Sequence, residues 1–480
     1  MGFGIYGNLV AGADGWPTPP LAINGNWGNP FNTPQAKADD LWHAAFNSKG
    51  NYFGSQDPST AGDALSSVFS NIVQRAASYS SVAQNSTTLN TSSQVYQATV
   101  NGTQGDVQAF SISLAGQLST TPVWSANCML TGGACVNPVG TNTPVNYNTR
   151  VVITRNWTGA NNGIAFRWPS NYTTYKVSGS VPTNMANFLA NAPYPANTTT
   201  STQITSNQNY GQALLNYLRG NRTQEAQNGG SYAFRNRSGL LGDIVNSSPV
   251  YVSAPTRLYP DSLEASPYSV FKQNYANRTP IVYVGGNDGM LHGFNAATGK
   301  ELLAYIPGVR QIYQNLPNLS SPAYTHNFFV DGTPTEADVY TNGAWRTMLV
   351  GNLRNGGQGV YGIDITNPTN FSETNANQIY KWEFTDQDDP DLGFVQGNLT
   401  VAKVWTGANQ SEWAVIFGNG YNNSQADGYA STTGKAALFI LLPGRFSGTW
   451  TLNQNYYKIV VGSGSTTTPN GLAAPYAIDI

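Results

Sequence analysis

Ile281-Val282-Tyr283-Val284-Gly285-Gly286-Asn287-Asp288-Gly289-Met290-Leu291-His292-Gly293-Phe294-Asn295-Ala296-Ala297-Thr298-Gly299-Lys300-Glu301 alternates short apolar runs with clusters of Gly, Asn and Asp. Apolar runs this short, bounded by residues that tolerate positive φ, read as strands joined by tight turns. A strand is expected to enter the turn at Ile281 to Val284, another to leave it at Met290 to Phe294, and a third to follow Asn295 to Gly299 at Glu301-Leu302-Leu303-Ala304-Tyr305.

Working outward, the same plan recurs. Asn246-Ser247-Ser248-Pro249-Val250, Asp331-Gly332-Thr333-Pro334-Thr335 and Gly397-Asn398-Leu399-Thr400-Val401 each precede an apolar strand that ends in Gly285, Gly351 or Gly418, and these glycines stand 66 and 67 positions apart. A further strand follows each, at Met290 to Phe294, Gly359 to Ile363 and Ala437 to Ile440. Four short strands per repeat make a β-propeller blade. Gly471-Leu472-Ala473-Ala474-Pro475 opens a fourth repeat, so three full units are expected and the ring is incomplete within this sequence.

The rest of the chain differs. Residues 1–78 read as the tail of an α/β domain: a strand at Gly2 to Gly7, a helix beginning at Asp39, and a second helix after Asp57-Pro58. Residues 79–240 read as a β-rich intermediate domain, with strands at Tyr96 to Val100, Val107 to Leu114 and Val151 to Thr154, and a helical patch at Gly211 to Arg219. Residues 241–480 hold the blades. The fold class is therefore mainly β, with propeller blades preceded by a β-rich segment and an α/β remnant.

Composition narrows the function. Charged residues make up 10% of the 480, while Gly (50), Pro (27) and Tyr (27) are plentiful. That polar but weakly charged surface suits extracellular β-rich adhesive proteins better than cytosolic enzymes. A formal net charge of −2 argues against nucleic acid, whose binding draws on clustered Lys and Arg. Cys128 and Cys135 are the only cysteines; they can close a small disulfide loop in an oxidising compartment, the alternative being buried thiols. No apolar run reaches the length of a membrane helix, and the N-terminus lacks signal-peptide features, as an internal piece of a larger exported protein would.

Leu241-Gly242-Asp243-Ile244-Val245-Asn246-Ser247-Ser248-Pro249, Tyr283 to Phe294, Val330-Asp331-Gly332-Thr333-Pro334 and Trp413 to Asn422 together resemble the PilY family of type IV pilus biogenesis and tip-adhesin proteins. Asp40-Leu41-Trp42-His43-Ala44-Ala45 is similar to the segment that closes that family's von Willebrand factor A-like domain, to which residues 1–78 would then belong. The resemblance implies a binding and assembly protein, not an enzyme, placed at the pilus tip or outer surface of a Gram-negative bacterium. Its implied partners are minor pilins and host or abiotic surfaces, and its implied role is to modulate pilus extension and retraction and twitching motility. It also implies a propeller calcium loop, to which Gly471 to Ile478 forms the lead-in and Asp479 the first ligand. The chain ends one residue later, which makes calcium at Asp479 doubtful here.

Other constellations read as structural. Asp386-Gln387-Asp388-Asp389-Pro390-Asp391 lacks the regular spacing and central glycine of an EF-type loop, and a solvated connection is the simpler expectation. His43, His292 and His326 are the only histidines and lie far apart. His292, mid-strand, is expected to be a hydrogen-bonded blade residue and not a general base. Gly351 to Gly359 lacks the Lys-Ser/Thr ending of a phosphate loop, and Arg219-Gly220-Asn221 is not Arg-Gly-Asp. The rival function is a quinoprotein-like dehydrogenase, since the Asp288 to Lys300 segment also resembles its blade repeats; the adjacent cysteines of that family are missing.

Overall fold

The computed structural model describes residues 29–48, 82–84, 94–113, 117–135, 140–156, 161–169, 189, 201–407 and 410–477. The chain divides into two compact units, Met1–Ser78 and Tyr79–Ile480. In the first, the helix runs Pro34–Ser48. It starts five residues before the expected Asp39, because Thr33 Oγ1 accepts the Ala36 N–H at 3.1 Å and Pro34 fits the first helical position. Asp39 instead shares a buried face with Ala36 and Trp42. The expected strand at Gly2 and helix after Asp57 lie outside the described residues.

In the second unit, three four-stranded meanders follow one another. The first joins Val250–Val252, Ile281–Gly285, Leu291–Asn295 and Glu301–Ile306. The second joins Thr335–Thr341, Ala344–Asn352, Gly359–Asp364 and Tyr380–Thr385. The third joins Thr400–Gly407, Gln410–Gly418, Ala436–Leu441 and Tyr456–Gly462. Every neighbouring pair within these meanders is antiparallel. The three repeats read from glycine spacing are these three blades.

Both faces of the first blade are covered, so its inner strand Ile281–Gly285 is continuously apolar and buried. In Ile281–Gly285, Ile281 and Tyr283 turn to a core shared with Leu349, Tyr361 and Ile363 of the second blade. Val282 and Val284 turn the other way, onto Tyr96, Val107, Ala109 and Trp124. The opposite face of the second blade (Met348, Val350, Val360) meets Val415, Phe417 and Phe439 of the third, with Trp382, Phe384, Trp450 and Tyr456 filling the seam. The far face of the third blade is only partly covered, and Ile459, Val460 and Val461 remain about half exposed.

Two features of the β-rich segment were not expected. Its strands Val82–Gln84, Gln94–Asn101, Gln104–Ser111 and Trp124–Ser125 form a fourth meander stacked on the first blade. Trp124 anchors it: the ring lies under Gly299, where a Cβ would come within 2.6 Å of it and where φ is +71°, and its Nε1 donates to Ala296 O at 2.8 Å. The strand Val152–Arg155 then joins the first blade's sheet by pairing parallel with Glu301–Ile306, and Gly163–Ala165 adds a sixth strand. The helical patch is longer than Gly211 to Arg219, spanning Ser201–Leu218.

Candidate functional site

The Gly-Asn pairs that mark the repeat occupy the crossings between successive sheets. Asn287 takes the Asp243 carbonyl with its N–H (2.9 Å) and the Asp243 carboxylate with Nδ2 (2.8 Å), while its Oδ1 accepts the Phe329 N–H at 3.0 Å. Asn419, two blades on, donates from Nδ2 to the carbonyls of Asp391 (2.9 Å) and Lys435 (3.0 Å) and accepts from Ala437 N (3.1 Å) and Leu472 N (3.0 Å). Asn352, between them, donates to the Gly397 carbonyl, and its Oδ1 is buried without a donor. A short amide side chain reaches backbone donors and acceptors on both sides of a crossing, which apolar residues cannot do. The preceding glycines admit the close approach: a Cβ on Gly285 would sit 2.1 Å from Val330 O.

Beside the first crossing lies a buried charged chain. His292 Nδ1 is 2.7 Å from Glu301, and its Nε2 is 3.1 Å from both Asp288 oxygens. Arg150 closes on Glu301 through Nε (2.7 Å) and Nη2 (2.8 Å), and Asp288 also accepts the Gly242 N–H at 3.0 Å. Burial works against a charged imidazole, but Asp288 first and Glu301 next raise His292 to about 9. Burial likewise opposes ionised Glu301, yet Arg150 and then His292 hold it down to about 2. Both ring nitrogens of His292 are engaged by carboxylates, so no lone pair faces a substrate.

Arg219 extends this chain. Its guanidinium, 1% exposed, takes the carbonyls of Tyr147, Phe166 and Arg150 and the Glu373 carboxylate. In the next sheet Glu383 is fully buried under Arg155, the Tyr305 hydroxyl and the Gly308 N–H. None of Arg150, Arg219, Glu373 and Glu383 was singled out as a site residue from sequence, since their partners lie 53 to 228 positions away.

The remaining sequence candidates fall as follows. His43 is 3.9 Å from Asp40, and His326 Nε2 is 2.7 Å from Asp243. The acidic loop is not solvated: Lys458 Nζ bridges Asp389 (2.9 Å) and Asp391 (2.7 Å), and Asp388 accepts the Thr385 N–H at 2.9 Å. Cys128 is disulfide-bonded, on the short helix Ala126–Thr131 whose first turn Ser125 caps. Cys135, the other cysteine, ends the strand Gly133–Cys135. Asp479 lies outside the described residues. Among the described residues, no three His, Cys, Asp or Glu converge as metal ligands, and no helix is long and apolar enough to cross a membrane.

Open surface lies elsewhere. A groove of about 280 Å³ runs between the second and third blades, walled by Val339, Met348, Trp382, Trp413 and Val415 with Lys381 and Glu412 at its rim. Leu258, Trp405 and Tyr476 project into solvent at 92%, 76% and 92% exposure.

A family model described as the PilY1 beta-propeller domain matches residues 241–480. The chain belongs to the PilY1 family. Over 455 residues, 92% of this chain and 34% of the relative, it is 31% identical to a type IV pilus biogenesis factor PilY1 of Pseudomonas aeruginosa. It is 42% identical to a PilY1 homolog of Xylella fastidiosa over 241 residues, 48% of this chain and 18% of that protein. The chain thus spans about a third of the Pseudomonas PilY1 relatives it matches. A crystal structure of the Pseudomonas aeruginosa PilY1 C-terminal domain is 34% identical, covering 48% of this chain and 40% of that one at a TM-score of 0.36.

Proposed function

We propose that this PilY1-family chain is a non-catalytic part of a type IV pilus biogenesis factor, carried outside the cell at the pilus tip, where it binds minor pilins and a host or abiotic surface and thereby modulates extension and retraction. The observation that carries the reading is the state of the charged groups around His292. They are spent on one another and on backbone, which suits a rigid scaffold, whereas the exposed aromatic and aliphatic side chains sit on connecting loops and strand ends. Tyr and Trp at such places supply contact area at small entropic cost. We further propose that Cys128 pairs with Cys135, in keeping with an oxidising compartment, and that calcium binds at Asp479 only where the rest of its loop is present.

The test is direct binding. Purified chain, immobilised and exposed to purified minor pilins, should bind them, and Trp405→Ala with Leu258→Asp should weaken binding about tenfold, on the scale of one or two interface anchors. A strain producing the doubly substituted protein should pilate and twitch poorly. Wild-type chain that binds no minor pilin would sink the proposal. A bound quinone chromophore, or alcohol oxidation on adding quinone and calcium, would replace it with the dehydrogenase reading.

A further inference from the structure

The exits of the first two blades and a loop inside the third bring together a set of side-chain oxygens, three of them without donors. Asp386 follows the last strand of the second blade, Gln311 lies on the helix Arg310–Asn315 after the first, and Asp427 sits in the loop between Gly418 and Ala436 of the third. Asp386 is 2% exposed, and both of its carboxylate oxygens are buried without a hydrogen-bond donor. Gln311 is 7% exposed; its Nε2 donates to Asp427 Oδ2 at 2.8 Å and to Gln358 Oε1 at 3.0 Å, while its own Oε1 is buried without a partner. Among the described residues the other buried carboxylates are engaged, Asp331 and Asp338 by hydrogen bonds and Asp389 and Asp391 by Lys458. An unpaired one demands an explanation.

We propose that Asp386, Asp427 and Gln311 form a binding site for a hard divalent cation of the calcium type, which ties the exits of the first two blades to an inner loop of the third. The donors are all oxygen, the ligand set that selects calcium or magnesium over zinc or copper. Gathered from three separate segments, they suit the larger, less regular shell of calcium better than the strict octahedron of magnesium. A proton shared by the two aspartates is the competing occupant. It would satisfy one of the three bare acceptors and leave two, whereas one cation can draw all three, with water and backbone carbonyls completing six to eight ligands. Arg310 lies 5.7 Å over the Tyr429 ring, and among the described residues no salt bridge reaches Asp386 or Asp427. Asp388 and Asp389 share the Asp386 loop and face Thr385 and Lys458.

Calcium chloride titrated into the intact chain by calorimetry, with a parallel thermal melt, tests this. Expected are saturable binding and a melting midpoint raised by roughly 5 °C at a hundredfold excess over Kd. Asp386→Asn should melt no lower than wild type without calcium, because it removes the carboxylate repulsion, and should lose the calcium response. Asp427→Asn, at a half-buried position, should lose it too, and decides the matter if Asp386→Asn does not fold. Asp479→Asn should keep it. A wild-type chain indifferent to 5 mM calcium, on the order of the weakest extracellular calcium modules, or a full response surviving in Asp427→Asn, overturns the site. So does a response that only Asp479→Asn abolishes.

Discussion

Replacing the crossing asparagines one at a time by alanine should produce a graded loss of stability set by their hydrogen bonds. Asn419, fully buried, engages four backbone groups from Asp391, Lys435, Ala437 and Leu472. At roughly 1 kcal/mol net for each bond, and more where a buried partner is stranded, Asn419→Ala should cost about 4 kcal/mol. Asn287 makes two side-chain bonds, one to the Asp243 carboxylate, and its loss should cost about 2 to 3 kcal/mol. Asn352 makes one bond and leaves Oδ1 unsatisfied, so Asn352→Ala should cost about 1 kcal/mol or less, since it also removes an orphaned acceptor. Urea unfolding followed by tryptophan fluorescence measures all three, with ΔG compared only where the slope is unchanged. The identical chemical change at equivalent repeat positions makes each variant a control for the others. Equal losses at Asn352 and Asn419 would refute the hydrogen-bond account and leave side-chain volume as the cause.

Three further outcomes are expected. His292 is raised from 6.5 to about 9 and Glu301 lowered from 4.5 to about 2; the histidine's contribution is full below 6.5 and fades as pH climbs through 9, and the glutamate's is full above 4.5 and fades as pH falls through 2. The network should therefore contribute most between pH 4.5 and 6.5, on the order of 2 to 3 kcal/mol, and Glu301→Gln should flatten the alkaline decline in a melting series across pH 6 to 9.5. Gly285→Ala, with a Cβ 2.1 Å from a backbone oxygen, should cost about 1 to 3 kcal/mol in the same urea assay; an unchanged midpoint would show that the crossing relaxes freely. Cys128→Ser should cost about 2 kcal/mol under non-reducing conditions and nothing once wild type is reduced, given a closed loop this short.

The propeller was legible because its signals are local. Gly285 and Gly418 end strands and Gly351 is the last residue but one of its strand, each close against another part of the chain, and the Asn that follows Gly351 and Gly418 bonds across a crossing, so the repeat is written in single residues. His292 reads as a strand residue from its place between Leu291 and Gly293, and both its nitrogens face carboxylates. What sequence did not disclose depends on distant pairing. Val152–Arg155 is four residues long, and nothing in it says that its partner is Glu301–Ile306. Arg150 and Arg219 look like ordinary surface cations until Glu301 and Glu373 meet them inside. The acidic loop misled for the same reason: Lys458, which neutralises Asp389 and Asp391, is 67 positions beyond Asp391. Composition tells how many charges a chain has, not which of them fold inward together.

The parallel join between Val152–Arg155 and Glu301–Ile306 has a mechanical consequence. Tension between residue 151 and residue 307 enters one strand at its beginning and leaves the other at its end, so the bonds pairing Val152, Ile153 and Thr154 with Ala304, Tyr305 and Ile306 are loaded in shear and must fail together. Thr154 Oγ1, donating to Ile306 O at 2.8 Å, adds a rung at the far end. An antiparallel join would open like a zipper, one rung at a time. Here the long stretch between the two strands is shielded from the pull until the clamp breaks, and then pays out as slack.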